Sequence, residues 1–146
     1  MNRDAGYVLR ANGTDVSYAM SGLVSVILGS ALGGVARYFV SGFVARRVGE
    51  TFPWGTLIIN VSGAFVIGLF GAMAEDTASI MASRDSWLFA VTGFLGAYTT
   101  VSSFSLQTLT LTRDGQTARA VSYVALSVGL CLGAVALGFF AGQVLK

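Results

Sequence analysis

From Ser86 to Thr112 the chain carries no charge. A stretch of that length can cross a bilayer, since about 20 mostly apolar residues suffice. Yet its centre reads Gly93-Phe94-Leu95-Gly96-Ala97-Tyr98-Thr99-Thr100-Val101-Ser102-Ser103-Phe104-Ser105, crowded with glycine and hydroxyl side chains. Lipid offers no hydrogen bonds, and a backbone break at membrane depth is tolerated only where protein or a water-filled path covers it. The stretch therefore predicts a site inside a membrane, suited to an ion.

Composition fits that setting. Hydrophobic residues make up 54% and charged residues 11% of the chain, against about 25% charged in a soluble domain. The single Cys131 rules out an internal disulfide and a cysteine metal site, and it reads as a small buried hydrophobe. No histidine is present, which removes the usual imidazole base and the commonest metal ligand. A net charge of +2 is too small to suggest a nucleic-acid partner. No nucleophile–base pair stands out, so an enzyme is not expected.

Four runs qualify as spans. They cover about Met20 to Phe43, Trp54 to Ala74, Ser86 to Thr112 and Ala120 to Leu145. The expected architecture is an all-α membrane protein of four transmembrane helices with a broken third helix, formed by residues 20–146. Pro53 precedes the second run, where a helix start tolerates it. Trp54 and Trp87 open two of the runs, the position that indoles favour at a membrane interface. Residues 1–19 are mixed polar, contain the turn signal Asn12-Gly13, and read as a disordered or surface-lying tail.

The charge bias that orients membrane proteins is nearly absent. One side would hold Arg3, Arg10, Arg84 and Lys146; the other would hold Arg46, Arg47, Arg113 and Arg119, with Arg37 added if it snorkels that way. Either the insertion machinery sets one orientation in spite of this, or the chain inserts both ways and pairs with an inverted copy. Three small-xxx-small pairs would let helices approach closely: Gly29 with Gly33, Gly129 with Gly133, and Gly138 with Gly142. Their spacing leaves open whether they pack within one chain or between two.

Arg37 is the only charge within a span. It either snorkels to the interface or stands at the mouth of an anion path. Asn60 lies mid-span on the same helical face as Thr56. An amide there must find a partner; it either glues helices together or lines a polar track. Thr100, Ser103 and Gln107 recur at spacings of three and four beside Phe104. Neutral donors and the positive edges of aromatic rings can face an anion without burying a fixed charge. Gly93 and Gly96 suggest a break whose freed carbonyls could hold a cation.

Three blocks resemble the Fluc (CrcB) family of fluoride channels. Gly33-Gly34-Val35-Ala36-Arg37-Tyr38 is similar to the end of its first helix. Gly55-Thr56-Leu57-Ile58-Ile59-Asn60-Val61-Ser62-Gly63-Ala64-Phe65 is similar to its Gly-Thr-Leu-x-x-Asn-x-x-Gly-x-Phe. The segment 93–105 is similar to its Gly-Phe-x-Gly-Gly-x-Thr-Thr-Phe-Ser-Thr-Phe. The resemblance implies an antiparallel, dual-topology dimer with two pores. It also implies a structural sodium ion at the dimer interface, held by backbone carbonyls matching Gly96 and Thr99. Asn60 would line the pore and Arg37 the aqueous vestibule. Of two phenylalanines expected to face fluoride, the second matches Phe104 and the first falls on Val101. Ser102, Ser103 and Tyr123 fall at the family's polar pore-side positions, and Thr100 of the polar stripe is expected to line the pore with them. Val101 in place of an aromatic ring would weaken one anion contact, or mark a chain that pairs with a related partner as a heterodimer.

The function so implied is a passive, fluoride-selective channel exporting cytoplasmic fluoride across the cytoplasmic (inner) membrane. Two other functions compete with it. A small multidrug-type exporter needs a membrane carboxylate, and no span carries one. A non-conducting membrane scaffold would use its small residues for packing alone.

Overall fold

The computed structural model describes residues 13–49 and 51–145, apart from the side chains of 13–15. Among them no strand occurs. The elements in order are α1 (Gly13–Val48), α2 (Trp54–Ala74), a single 3₁₀ turn (Ile80–Ala82), α3 (Arg84–Trp87), a widened helical segment (Leu88–Leu95), α4 (Gly96–Tyr98), α5 (Val101–Arg113) and α6 (Thr117–Val144). α1, α2 and α6 are each long and apolar enough to cross a membrane. The third apolar run is not one helix: it is split at Thr99 and Thr100, as its glycines and hydroxyls predicted.

α1 departs from expectation at its start. It is helical from Gly13, so part of the anticipated tail belongs to the helix; residues 1–12 lie outside the described residues. Thr14 and Asp15 suit a first helical turn, and no proline interrupts the run into Met20. The thirty-six residues would extend about 54 Å at 1.5 Å each, well beyond the ~30 Å hydrocarbon core. The Arg84 Nη1 donates to the Tyr18 carbonyl at 2.9 Å, tying this overhang to the start of the third run.

Two helix pairs make the body. α1 lies along 88–95, where Gly29 and Gly33 let backbones touch: a Cβ on Gly33 would land on the Phe94 carbonyl. Gly93 answers from the other side, with the Gly29 Cα 3.0 Å from where its Cβ would stand. α2 lies along α6 in the same manner. There a Cβ on Gly138 would strike the Phe65 carbonyl, and one on Gly142 would come within 2.8 Å of the Leu69 carbonyl. The pairs at 29/33 and 138/142 are therefore used within the chain. A Cβ on Gly129 or Gly133 would meet nothing within 4 Å, so that third pair lies on an open face.

The turns sort the charges by end. Gly115, at φ 73°, closes α5: its N–H bonds the Thr112 carbonyl at 3.1 Å and the Gln116 N–H bonds the Leu111 carbonyl at 2.9 Å. This reversal brings Asp114, Gln116 and Arg119 beside Gly49 and Thr51 at one end of the bundle. Tyr18, Ser21, Arg84, Glu75 and Gln143 meet at the other, through Arg84–Tyr18, Ser21–Asp85 and Gln143–Glu75 contacts. Those are the two sides assumed in the charge count; Arg3, Arg10 and Lys146 lie outside the described residues. A small cluster of Leu57, Leu111, Ala120 and fully buried Tyr123 joins α2, α5 and α6, with Phe52 and Phe104 against it. Most other large apolar side chains, among them Leu32, Phe39, Leu132 and Phe140, point outward, as lipid contact requires.

Candidate functional site

The site is assembled where α2 crosses the break in the third run. Asn60 Nδ2 donates to the Thr100 carbonyl at 3.0 Å, and Asn60 Oδ1 accepts from the Thr100 N–H at 2.8 Å. One side chain thus satisfies both backbone groups of the residue at which the helix is interrupted. Two residues on, Ser62 Oγ lies 2.9 Å from Tyr98 Oη. Because the Ser62 hydroxyl donates to the Ile59 carbonyl at 3.1 Å, it accepts from Tyr98. Gly63 leaves room for Thr99: a Cβ there would fall on Thr99 Cγ2. Asn60, Ser62 and Gly63 therefore grip Tyr98, Thr99 and Thr100 in turn.

The break has a local cause as well. Thr99 and Thr100 are extended, with φ, ψ of −77°, 160° and −152°, 119°. Thr100 then caps α5, its Oγ1 accepting from the Ser103 N–H at 3.2 Å. The same Oγ1 lies 3.1 Å from Ser102 Oγ and 3.2 Å from Ser103 Oγ. In an unbroken helix the Thr100 N–H would bond the Gly96 carbonyl, and the Ser103 N–H the Thr99 carbonyl. Asn60 takes the first donor and Thr100 Oγ1 the second. The carbonyls of Gly96 and Thr99 are thereby released from their helical donors.

Other expected residues fall around this point. Thr100 is buried, whereas Val101 is 76% exposed and turned away from the chain's own helices. Asn60, Gly96, Thr99, Thr100 and Val101 share a cavity of about 360 Å³. Arg37, half-buried, lines a second cavity of about 640 Å³ together with Ser103. A third, also about 640 Å³, opens at the charged end and reaches Thr56 and Gln107. Phe104 packs on Tyr123, ring centres 5.2 Å apart, and Tyr123 Oη donates to Gln107 Oε1 at 2.9 Å. The polar stripe is thus divided: Thr100 and Ser103 serve the break, and Gln107 serves Tyr123.

Two features were not anticipated. The Ser62–Tyr98 contact carries no motif, since either hydroxyl alone is ordinary in a membrane helix. Cys131, expected to be buried, is half-buried and lines the cavity of Asn60 and Thr100. The reason is that α6 meets the break across a gap rather than a packed seam at that level.

A family model for CrcB-like protein, camphor resistance (CrcB), matches residues 24–139. The chain belongs to the CrcB family. Its relatives in that family are close. The fluoride-specific ion channel FluC 2 of Bradyrhizobium diazoefficiens is 66% identical over 120 residues, covering 82% of this chain and 88% of that protein. FluC 2 of Rhodopseudomonas palustris is 62% identical over 126 residues, covering 86% and 96%. FluC of Methylocella silvestris is 51% identical over 113 residues, covering 77% and 86%. The CrcB match runs through α1, the clamp on α2, the break and most of α6, so it contains every residue of the site described above.

Proposed function

We propose that this chain forms a passive fluoride channel in the cytoplasmic (inner) membrane. The observation that carries the reading is the Asn60 clamp on Thr100, which sets a broken, hydroxyl-lined backbone inside an apolar bundle. The names of its relatives, fluoride-specific ion channels, supply the ion. Neutral donors suit fluoride, whose small radius demands close hydrogen bonds in exchange for its water. Asn60, Thr100, Ser103, Phe104 and Tyr123 are proposed to line the path, with Val101 beside it and Arg37 in the vestibule. No coupled ion is needed: an interior-negative potential gives about 2.3 kcal/mol per charge per 100 mV for outward anion movement. The spans hold no carboxylate with which a multidrug-type exporter would exchange protons.

The working unit is proposed to be an antiparallel dimer. The open face at Gly129 and Gly133, the outward Val101 and the limited seating of α5, which leans on α6 and α2 alone among the described elements, all favour a second chain. A structural sodium ion fits the break. Hard cations take carbonyl oxygens, and Gly96 and Thr99 each have a carbonyl released from its helical donor. Such an ion would neutralise the converging carbonyl dipoles and pin the two halves of the third run. The partner is an inverted copy of this chain, or a related chain that has a ring where this one has Val101.

Reconstitution tests the proposal. Liposomes holding only this chain should release fluoride once valinomycin lets potassium carry the balancing charge, and should keep it without valinomycin. Release that ignores valinomycin would mean an electroneutral process and would end the passive-channel reading. Release only when a second CrcB chain is added would assign the heterodimer.

A further inference from the structure

Arg37 is not the only cation at its cavity. The same space is lined by Arg46, with Ser41, Gly42, Tyr38 and Ser103, and no acidic residue contributes to its wall. Arg46 belongs to the last turns of α1, nine residues and roughly 13 Å along the axis from Arg37. Helical side chains slant toward the helix N-terminus, and Gly42, one turn deeper, has no Cβ in the way. Arg46 Nη1 lies 3.3 Å from where that Cβ would stand. The guanidinium, itself exposed, is therefore folded back over Gly42 at the edge of the cavity that Arg37 and Ser103 line. Its neighbour Arg47 does otherwise: its guanidinium lies 5.0 Å from the centre of the outward Phe43 ring. The cavity at the charged end differs too, because Asp114 offsets Arg119 there.

We infer that Arg46, folded over Gly42, is the outer cation of an anion-gathering funnel that leads past Arg37 to Ser103 and the capped break. It is a positioning charge and not a ligand held throughout conduction. A cleft lined by one sign of charge raises the local concentration of the opposite ion, and the effect fades as salt screens it. The inference rests on the fluoride-channel reading and adds to it a second charge with a separate role.

The test is the initial rate of fluoride release from phosphatidylcholine vesicles at fluoride well below saturation. It is run with valinomycin at about 10 mM and at about 1 M of an impermeant gluconate salt, where the screening lengths are about 30 Å and 3 Å. Arg46→Gln should lower the rate roughly two- to fivefold at low salt and match the wild type at high salt. Arg46→Glu should fall further, Arg46→Lys should stay near the wild type, and Arg47→Gln should change nothing. Selectivity for fluoride over chloride should be the same in all. Equal rates for Arg46→Gln and wild type at low salt would overturn the funnel, as would a loss of equal size at both salt levels. A wild-type chain that released no fluoride, either alone or with a second CrcB chain added, would overturn the channel reading itself, a result that differs from both.

Discussion

Asn60 and Thr100, forty residues apart, are joined by two hydrogen bonds, one to each backbone group of Thr100, at 3.0 and 2.8 Å. An amide is the one neutral side chain that offers a donor and an acceptor side by side, so aspartate and leucine of similar size each lose half or all of the match. Asn60→Ala should strand two backbone groups at about 1–3 kcal/mol each. The expected outcome is a fall in fluoride release of at least about tenfold, by the 1.4 kcal/mol-per-decade relation, measured on protein that still elutes as a single species.

Gly63 sets how close Thr99 comes to α2. Gly63→Ala puts a methyl group on Thr99 Cγ2, so the Thr99 side chain must turn or the break must shift away from α2. Fluoride release should drop sharply. If the carbonyl holds sodium, the concentration of sodium needed for release should rise, which a sodium titration of the rate will read.

Glycines of the two inner seams and of the open face should behave differently. Gly33→Ala and Gly138→Ala drive a Cβ into a carbonyl of the facing helix; overpacking of this kind costs about 1–3 kcal/mol, visible as a lower melting temperature in detergent. Gly129→Ala and Gly133→Ala meet nothing within the chain. They should leave the protomer's fold intact and weaken only association with a second chain, measured by crosslinking yield in membranes.

Cys131 is the only cysteine in the sequence and lines the cavity of Asn60 and Thr100. A small methanethiosulfonate reagent should therefore slow fluoride release in the wild type and leave Cys131→Ser unaffected. Cys131→Ser alone should keep most of the wild-type rate, as the side chain has nearly the same size.

Much of this arrangement could be read from the chain before any coordinates. Three of the four apolar runs form single helices long and apolar enough to cross a membrane, since length and lack of charge are both visible in sequence. Gly93 and Gly96, beside the polar stripe of Thr100, Ser103 and Gln107, announced the break, since glycine and polar side chains have little generic use at that depth. What stayed hidden was pairing. Asn60 was as able to line a path as to tie helices, and only the fold shows it tied to Thr100. Gly29/Gly33, Gly129/Gly133 and Gly138/Gly142 have one spacing and two fates, decided by which face of each helix meets another. Tyr98 finds Ser62 across thirty-six residues, a contact that no local pattern encodes. The early start of α1 was missed because a polar first turn and a loop look alike in composition.

The clamped break is proposed to form part of a path for fluoride. The most direct test compares wild-type and Asn60→Ala chains in liposomes loaded with fluoride and chloride, each ion followed by its own electrode after valinomycin is added. The wild type should lose fluoride rapidly and retain chloride, and Asn60→Ala should largely abolish fluoride release. Equal loss of both ions from the wild type, or fluoride release untouched by Asn60→Ala, would contradict it.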